Sequence, residues 1–218
     1  MKLLSTWRSA LLGTALLAGG CASHEAACPA VVANPAAQIW RSKINKEDND
    51  RLRKWRDSWV KALADARSAG FGMQIDAEGP LLDPDAALPL KVPPPGIYNC
   101  RTIKLGAQSQ GQLHYVPYPA FDCRISRTSG ALRFAKLNGS QRPIGALLPQ
   151  TDRRMVLLGT LQLGDETNTL VYGRDQERDV AALLETIGDQ RWRLVFPSPH
   201  FESLTDVMEL VPKRTALQ

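Results

Sequence analysis

Apolar residues recur at helical spacing early in the chain. Between Asn45 and Ala69 an apolar side chain appears every third or fourth residue, and charged residues occupy the other positions of the helical wheel. Asn45 is a suitable N-cap, and Gly70 ends the pattern. The spacing predicts one amphipathic helix whose apolar stripe consists of Leu52, Trp55, Trp59, Leu63 and Ala66.

The apolar stripe of this helix needs a covering surface. We expect the stripe to lie against the core of the domain, as the stripes of most amphipathic helices do. Two alternatives are a partner protein that docks on Trp55 and Trp59, and a membrane surface. Acidic and basic residues alternate on the polar face, which disfavours the membrane.

A second pattern begins after Gly96. Short runs rich in β-branched, aromatic or leucine residues recur between turn residues, and Gly164 with Asp165 and Gly188 with Asp189 fit hairpin turns. The run 179–187 also fits a helical stripe, and we favour a strand there. The pattern predicts ten short strands, at residues 97–105, 113–117, 121–126, 132–137, 144–148, 154–163, 169–173, 179–187, 191–196 and 207–211.

Many short strands at regular spacing are typical of an antiparallel sheet that closes or folds over on itself. The chain is therefore predicted to be mainly β, as a small antiparallel barrel of lipocalin type or a sandwich, preceded by one amphipathic α-helix. Barrels of about eight strands have an interior that holds side chains or one small ligand. The lipocalin comparison concerns the fold alone and implies no function.

The N-terminus has the order of a secretory signal peptide at residues 1–20. Lys2 and Arg8 precede an apolar run, which is shorter than the ~20 residues that a membrane-spanning helix needs. Small residues directly before Cys21 resemble the lipobox of bacterial lipoproteins, in which the cysteine sulfur receives a diacylglycerol. Ala18 departs from that pattern, because leucine is usual at its position. The alternative is ordinary cleavage and release into the periplasm.

The lipobox resemblance makes the membrane a predicted partner, through a lipid on Cys21. We expect an exported protein on the periplasmic side of the bacterial envelope. Ala22 follows the cysteine, where an aspartate would favour the inner membrane, so the outer membrane is the expected location.

Composition divides the rest of the chain into a tether and one domain. Residues 21–38 are rich in Ala and Pro and are predicted to be a flexible tether. Residues 39–218 are predicted to form a single globular domain, with a helical lead-in at 39–70 and a β-rich core at 97–212. A Pro-rich connection at 77–96 joins the two parts.

The predicted export determines which cysteines are expected to form disulfides. Cys100 and Cys123 lie in two strand-like segments, and an oxidising compartment favours a disulfide between them. With a lipid on Cys21, Cys28 is unpaired in the tether. Without the lipid, Cys21 and Cys28 could pair with each other.

The charge balance and the motifs exclude several functional classes. The chain has 27 basic and 22 acidic residues, a net charge of +5 without an aromatic-interleaved basic cluster, so we expect no nucleic-acid partner. His24, His114 and His200 are not at metal-ligand spacing, and we expect no metal and no cofactor. There is no nucleophile elbow, P-loop or dinucleotide motif, and Ser140 fits a simple turn residue.

The densest polar segment, 172–179, lies between two predicted strands. It could form a ligand rim at one end of the sheet, although an exposed, salt-bridged loop is the more ordinary interpretation. The candidate rim residues are Arg142, Tyr172, Arg178, Asp179 and Arg193. An enzyme would need carboxylates that converge in one cleft, and the residues to inspect are Asp175, Glu177, Asp179, Glu202 and Asp206 with Arg142 and Arg178.

Several segments in order resemble domain-of-unknown-function family 4893, a group of exported bacterial proteins. They are "PPPGIYNCRTIKLG", "YPAFDC", "NGSQRPIGALLP", "VLLGT", "YGRDQERDV" and "GDQRWRLVFPSPHFESLTDVMELVP". The resemblance extends from about Ile39 to Pro212. It implies an envelope location and a single domain, and it implies no activity or catalytic residue.

These observations favour a non-enzymatic envelope lipoprotein that binds a small or lipid-like ligand or an envelope protein, as a monomer. This hypothesis predicts a concave apolar interior or an exposed apolar patch. The alternative is a periplasmic enzyme that acts on cell-envelope or sugar substrates through carboxylates near 175–179. A third hypothesis is a structural role in which the helix with Trp55 and Trp59 docks on a partner.

Overall fold

The computed structural model describes residues 35–213, so the predicted signal peptide, Cys21, Cys28 and most of the predicted tether lie outside it. A helical segment comes first: a 3₁₀ helix Pro35–Ser42, α1 Lys46–Arg53, α2 Trp55–Ala66, a π turn Arg67–Phe71, α3 Gly72–Ala77 and a 3₁₀ turn Gly79–Leu81. Eight strands follow: β1 Gly96–Ala107, β2 Tyr115–Thr128, β3 Ala131–Lys136, β4 Gln141–Pro149, β5 Arg154–Leu163, β6 Asp179–Gly188, β7 Arg191–Pro197 and β8 Ser203–Pro212.

The eight strands form a closed antiparallel barrel. Each strand pairs with the next along the chain, and β8 pairs back onto β1, with Tyr98 opposite Pro212 and Ala107 opposite Ser203. Closure satisfies the hydrogen-bonding groups of both edges, which an open sheet would expose. The structure confirms the prediction of a mainly β fold with a helix before it, and it selects the barrel over the sandwich.

The barrel interior is filled over most of its length by one apolar cluster. Side chains alternate along each strand, so every second residue points inward. Aromatic and branched residues meet there, and the central ones are Tyr98, Ile125, Leu132, Phe134, Leu147, Leu157, Leu184, Trp192, Leu194 and Leu210. The predicted disulfide is confirmed inside this cluster, where Cys100 and Cys123 join β1 to β2 with their Cα atoms 5.9 Å apart.

The helical segment covers part of the outer barrel wall. Helix α2 lies against β1, β7 and β8, and Trp59 and Ala62 are fully buried against outward residues such as Ile103 and Val207. Trp55 is only partly buried. The apolar stripe thus lies against the domain core, and in the described chain Trp59 is not available to a docking partner.

The predicted helix is interrupted once. Asn45 caps α1 as predicted, since its side chain accepts a hydrogen bond from the Asp48 N–H. The backbone leaves helical geometry at Lys54, and the turn separates α1, which lies against β6, from α2. Gly70, with φ of 96°, interrupts the helical backbone again before α3. Such a φ is favourable only for glycine.

Two of the strand predictions are wrong. Residues 115–117 of the first run and all of the run 121–126 belong to one strand, β2, whose register with β1 shifts between Arg101 and Ile103. The run 169–173 is a loop, because β5 and β6 pair with each other and with β4 and β7, so no strand edge is available to it. The ambiguous run 179–187 is the strand β6, as predicted.

The two ends of the barrel differ. The Pro-rich segment 88–95 crosses the end at which β1 begins, where the Trp192 Nε1–H donates to the Lys91 carbonyl (2.5 Å) and the Tyr98 hydroxyl donates to the Pro94 carbonyl (2.6 Å). Leu88 N donates to the Thr186 carbonyl (2.9 Å) and fixes the segment to β6. We call this the closed end.

Of the helices described, none has the length and apolar character to cross a membrane.

Candidate ligand site

A cavity of about 180 Å³ lies at the opposite end of the barrel, where β1 ends, and we call this the open end. The loops at this end connect β1 to β2, β3 to β4, β5 to β6 and β7 to β8. The apolar cluster reaches the cavity through Phe196 and Met208, and polar residues occupy other inward positions at the ends of these strands. The residues of this inner wall that matter most are Thr102, Lys104, Lys136, Pro143, Leu161, Val180, Phe196, Asp206 and Met208.

Lys104 is one of two buried lysines at the cavity. Its Nζ lies 2.9 Å from an oxygen of Asp206 and 3.3 Å from an oxygen of Glu202. Asp206 also accepts a hydrogen bond from the Ser203 hydroxyl. Burial opposes the charge on Lys104, but the carboxylates of Asp206 and Glu202 hold its pKa above the ordinary value. Lys104 is thus a fully paired cation.

Lys136 is the second buried lysine, and its surroundings differ. Its Nζ donates to the Gln141 carbonyl (3.0 Å) and lies 4.1 Å from the centroid of the Phe121 ring, a cation–π contact. Among the described residues no carboxylate forms an ion pair with it. Burial and the neighbouring charge of Lys104 lower the pKa of Lys136 to about 8. Lys136 is thus a buried cation without an ion-pair partner among the described residues, although the charge of Asp206 partly opposes the lowering of its pKa.

The loop 198–202 forms one side of the cavity mouth. Ser198 and Glu202 have positive φ values of 45° and 73°, which are uncommon for residues with a Cβ. Phe201 is 43% exposed, although it lines the cavity. The Nε2 atom of His200, also on the cavity wall, is buried and has no hydrogen-bond partner among the residues described.

The structure separates the predicted rim residues from one another. Only Asp179 lines the cavity. Its carboxylate accepts from Gly173 N (2.8 Å) and from Asn45 Nδ2 (3.1 Å), and burial raises its pKa. The Tyr172 hydroxyl donates to Asp48 (2.5 Å). These bonds join the β5–β6 loop to the start of α1, so Tyr172 and Asp179 fasten the helical segment to the barrel.

Arg142 lies at the start of β4, and Arg178 lies in the β5–β6 loop of the open end. The Arg142 guanidinium donates to the carbonyls of Gly139 and Glu166, both at 2.9 Å. Arg178 pairs with the carboxylate of Glu166 at 2.6 Å. Both guanidinium groups are committed to contacts that hold the loops, and neither lines the cavity.

Arg193 does not lie on a rim. It projects from the outer face of β7, where the helical segment covers it completely. It pairs with Glu185 (2.7 Å), its guanidinium lies 4.5 Å from the Trp59 ring, and it donates to the carbonyls of Pro80 (2.7 Å) and Asp83 (2.6 Å). The placement of Arg193 at a ligand rim is therefore corrected to a buried fastening between β7 and the helical segment.

Four carboxylates inspected for catalysis do converge on the cavity: Glu177, Asp179, Glu202 and Asp206. Asp179 and Asp206 are engaged as described above, Glu202 contacts Lys104, and Glu177 is exposed. Asp175 instead lies near Arg178, at 3.5 Å. In the described part of the chain no three His, Cys, Asp or Glu side chains are grouped closely enough to hold a metal ion.

The two cavity lysines were missed at the level of sequence, although a signal for them exists. In β1 the inward residues are Tyr98, Cys100, Thr102 and Lys104, and in β3 they are Leu132, Phe134 and Lys136. A lysine at the inward end of an alternating run marks the position where a barrel interior becomes polar. Counting every second residue from the buried aromatics would have located both lysines.

The comparison with protein families identifies this chain. The model of Domain of unknown function (DUF4893) matches residues 40–210, which include α1 and the entire closed barrel except the end of β8. The chain belongs to this family. No curated protein and no solved structure matches it.

Proposed function

We propose that this protein is an envelope lipoprotein whose barrel binds a small ligand at its open end. The single observation that carries the proposal is the cavity of about 180 Å³ above the apolar cluster. A barrel packed to both ends, with no exposed apolar patch, would have contradicted it. For comparison, an apolar cavity of about 150 Å³ is large enough to bind benzene.

The cavity walls have the composition of a ligand site. Phe196, Met208, Leu161 and Val180 supply apolar surface, and a few polar groups lie among them at fixed positions. Pockets for small molecules combine these two features, because the apolar surface supplies affinity and the polar groups fix orientation. The closed end leaves the open end as the entrance.

The anchored location is the second part of the proposal. The signal-like residues 1–20 and the lipobox-like approach to Cys21 support it, although they lie outside the described residues. A lipid on Cys21 would hold the barrel close to a membrane through the tether at 21–38. A lipid-anchored protein stays in the envelope while it exchanges a ligand with the periplasm.

Ligand binding can be tested with a substitution that fills the cavity. Benzyl alcohol, a neutral probe of suitable size, is titrated into the purified barrel and followed by methyl and indole NMR shifts. Val180→Trp places a large side chain on the cavity wall, so we expect it to abolish the shifts of neighbouring residues. Val60→Trp, at a half-exposed position on α2, is the matched control and should bind as the parent does.

Two results would contradict the proposed site. The first is the absence of saturable shifts at cavity residues in the parent protein with benzyl alcohol and with hexanol. The second is equal binding by the parent and Val180→Trp, which would place the probe elsewhere. Folding of both variants is checked by the dispersion of their amide spectra.

A second candidate function, a periplasmic hydrolase, draws support from the carboxylates that line the same cavity. Glu177 is exposed and free to act as a base, whereas Asp179 and Asp206 are held by hydrogen bonds. Turnover of envelope fractions that is lost in Glu177→Gln and kept in Glu166→Gln would favour the enzyme. Equal activity in both variants would exclude this version of it.

A further inference from the structure

Lys136 differs from the other cations of the cavity because no carboxylate among the described residues forms an ion pair with it. Lys104 has two carboxylate partners, and the carboxylate of Asp206 is already bound by Lys104 and Ser203. Lys136 has three N–H donors and uses one of them, on the Gln141 carbonyl. It is only 7% exposed. A buried ammonium group with unused donors is unfavourable unless another group completes its environment.

The position of Lys136 determines where that other group would sit. Its ammonium lies against the Phe121 ring, at 4.1 Å, and both residues line the cavity. The apolar surfaces of Phe196 and Met208 face the same space. A ligand with an apolar body on these surfaces would bring a polar end group near Lys136.

His200 supplies an independent observation on the same wall. Its Nε2 atom is buried and has no partner among the described residues, in a loop with two positive φ values. Buried polar atoms are normally hydrogen-bonded, so an unpaired one beside a cavity indicates a missing partner. Lys136 and His200 thus leave hydrogen-bonding capacity unused around one cavity.

We propose that the ligand is a small organic acid whose carboxylate is bound by Lys136 at the open end of the barrel. This inference rests on the proposed function and names the chemical class of its ligand. Carboxylates form short, charge-assisted hydrogen bonds with ammonium groups, and these bonds strengthen where water is excluded. The apolar body of the acid occupies the space between Phe121, Phe196 and Met208.

The other charges near the site are compatible with an anion. Arg142, on β4, adds positive potential, and its guanidinium is held by loop carbonyls. Lys104 lies between Asp206 and Glu202 and offsets one of their two negative charges, and Glu177 and Asp179 add negative charge elsewhere on the cavity wall. An acid bound on the Phe121 side of Lys136 therefore meets the one cation that lacks a carboxylate among the described cavity residues.

A matched pair of probes tests the inference. Benzoate and benzamide have nearly the same shape, and only benzoate carries a charge. By isothermal titration at pH 7 we expect benzoate to bind about tenfold to a hundredfold more tightly. Lys136→Gln should remove this preference, and Lys91→Gln, at an exposed lysine of the closed end, should keep it.

The pH dependence of benzoate binding identifies the cation. Since the pKa of Lys136 is about 8, the affinity for benzoate should be constant around neutral pH and fall above pH 8, by up to about tenfold per pH unit, towards the affinity of Lys136→Gln. The carboxylates raise the pKa of Lys104, so Lys104 keeps its charge through this range, and burial raises the pKa of Asp206 from its acidic value. Lys136→Gln should bind benzoate with a flat pH profile.

The outcomes separate this inference from the proposed function. Equal binding of benzoate and benzamide, both excluded by Val180→Trp, would overturn the carboxylate preference and leave the cavity as a neutral ligand site. Binding of no probe would overturn both. A preference for benzoate that persists in Lys136→Gln would assign the anion to another cation and overturn the inference. The pH profile is measured on the wild-type protein, so this part of the test does not depend on the folding of a variant.

Two sources could supply such a carboxylate, a free short acid or the head group of a long acyl chain. Hexanoate and dodecanoate distinguish them, because the filled barrel centre limits the cavity depth. We expect hexanoate to bind as tightly as dodecanoate. A large gain for dodecanoate would mean that the chain leaves through the mouth and contacts Phe201, and it would replace the short acid with a fatty acid.

Discussion

Lys136 and Arg193 are both buried cations, and their surroundings assign them opposite effects on stability. Arg193 has a carboxylate and several carbonyls around its guanidinium. Lys136 has one carbonyl and an aromatic ring. Removing one partner of a buried ion pair strongly lowers the free energy of unfolding, whereas an unpaired buried charge already destabilises the folded state.

Replacing Lys136 by Met should stabilise the ligand-free protein at neutral pH. The pKa of Lys136 falls from 10.5 in the unfolded chain to about 8 in the fold, so the folded state disfavours the charged form. Below pH 8 the full penalty is present, and the variant should be more stable by about 1 to 3 kcal/mol. The difference in the free energy of unfolding should shrink as the pH rises from 8, where the folded protein begins to lose the Lys136 proton, towards 10.5, where the unfolded chain loses it as well.

Urea unfolding of both proteins at several pH values measures this difference. Lys91→Met, at an exposed lysine, should leave the free energy of unfolding nearly unchanged at each pH. A destabilised Lys136→Met that shows no pH trend relative to the parent would refute the account of Lys136 as an unneutralised charge.

Replacing Arg193 by Met should destabilise the protein by about 3 kcal/mol. The change leaves the carbonyls of Pro80 and Asp83 without a donor and removes one partner of Glu185. Arg56→Met, which breaks the exposed pair with Asp85, is the matched control and should change stability by less than about 1 kcal/mol. Similar losses in the two variants, measured by urea unfolding, would show that Arg193 does not fasten the helical segment.

The placement of Arg193 illustrates what sequence can and cannot give for a residue. The alternation of Arg191, Trp192 and Arg193 correctly indicates that the arginines are on the outer face of their strand. It does not show that Pro80, Leu81 and the α2 helix cover that face at Arg193. The covering segment is more than 100 residues away in the chain, so no local pattern contains this information.

At the level of elements, local patterns predicted most of the strands but missed some of the connections between elements. The β6–β7 hairpin follows from alternation and a turn signal, and it appears where predicted. The hairpin predicted at Gly164 and Asp165 is wrong, because a long loop, 164–178, joins β5 to β6. Helix α1–α2 was predicted as one helix because its stripe is continuous through Lys54. The interruption there coincides with a change of tertiary contacts, since α1 lies against β6 and α2 lies against β1.

Strands β4 and β5 approach each other closely at a glycine pair, which gives a prediction for this element. A Cβ on Gly159 would contact the Ile144 carbonyl oxygen and lie 2.7 Å from the Gly145 Cα. Backbone atoms of a closed barrel cannot move away without breaking the ladder. Gly159→Ala should therefore lower the free energy of unfolding by about 3 kcal/mol or more.

Gly96→Ala is the control for this substitution. An added Cβ there would meet its nearest side-chain atom, on Tyr98, at 3.9 Å, and the effect should be within about 0.5 kcal/mol. Thermal unfolding followed by circular dichroism compares the two variants. Equal melting temperatures would show that β4 and β5 can separate at Gly159.

At the level of the whole molecule, the barrel was predictable and its cavity was not. Strand number, spacing and alternation restrict an all-β chain to a few closed architectures. The cavity depends on which inward positions lie in the same layer, and Lys104, Lys136 and Asp206 come from three strands far apart in sequence. Their proximity follows from the register of β1 with β8 and from closure, which appear only in three dimensions.

The last prediction concerns the location of the protein in the cell envelope. Protein purified from the membrane fraction should have the intact mass of residues 21–218 plus acyl chains, and reduction should add two hydrogens, for Cys100 and Cys123. Cys21→Ser should move the protein out of this fraction. A soluble, unacylated product that gains four hydrogens on reduction would instead indicate a Cys21–Cys28 bridge and a free periplasmic protein.

The buried disulfide also dictates an order of events during biogenesis. Both sulfurs face the barrel interior at zero exposure, and Cys100 lies opposite Leu210 of the last strand. A thiol oxidase needs physical access to a cysteine, and this access ends when β8 closes the wall. An enzyme that oxidises Cys100 and Cys123 can therefore reach them only in a chain whose barrel wall is open. Once closed, the barrel shields the bond from reductants for as long as it stays folded.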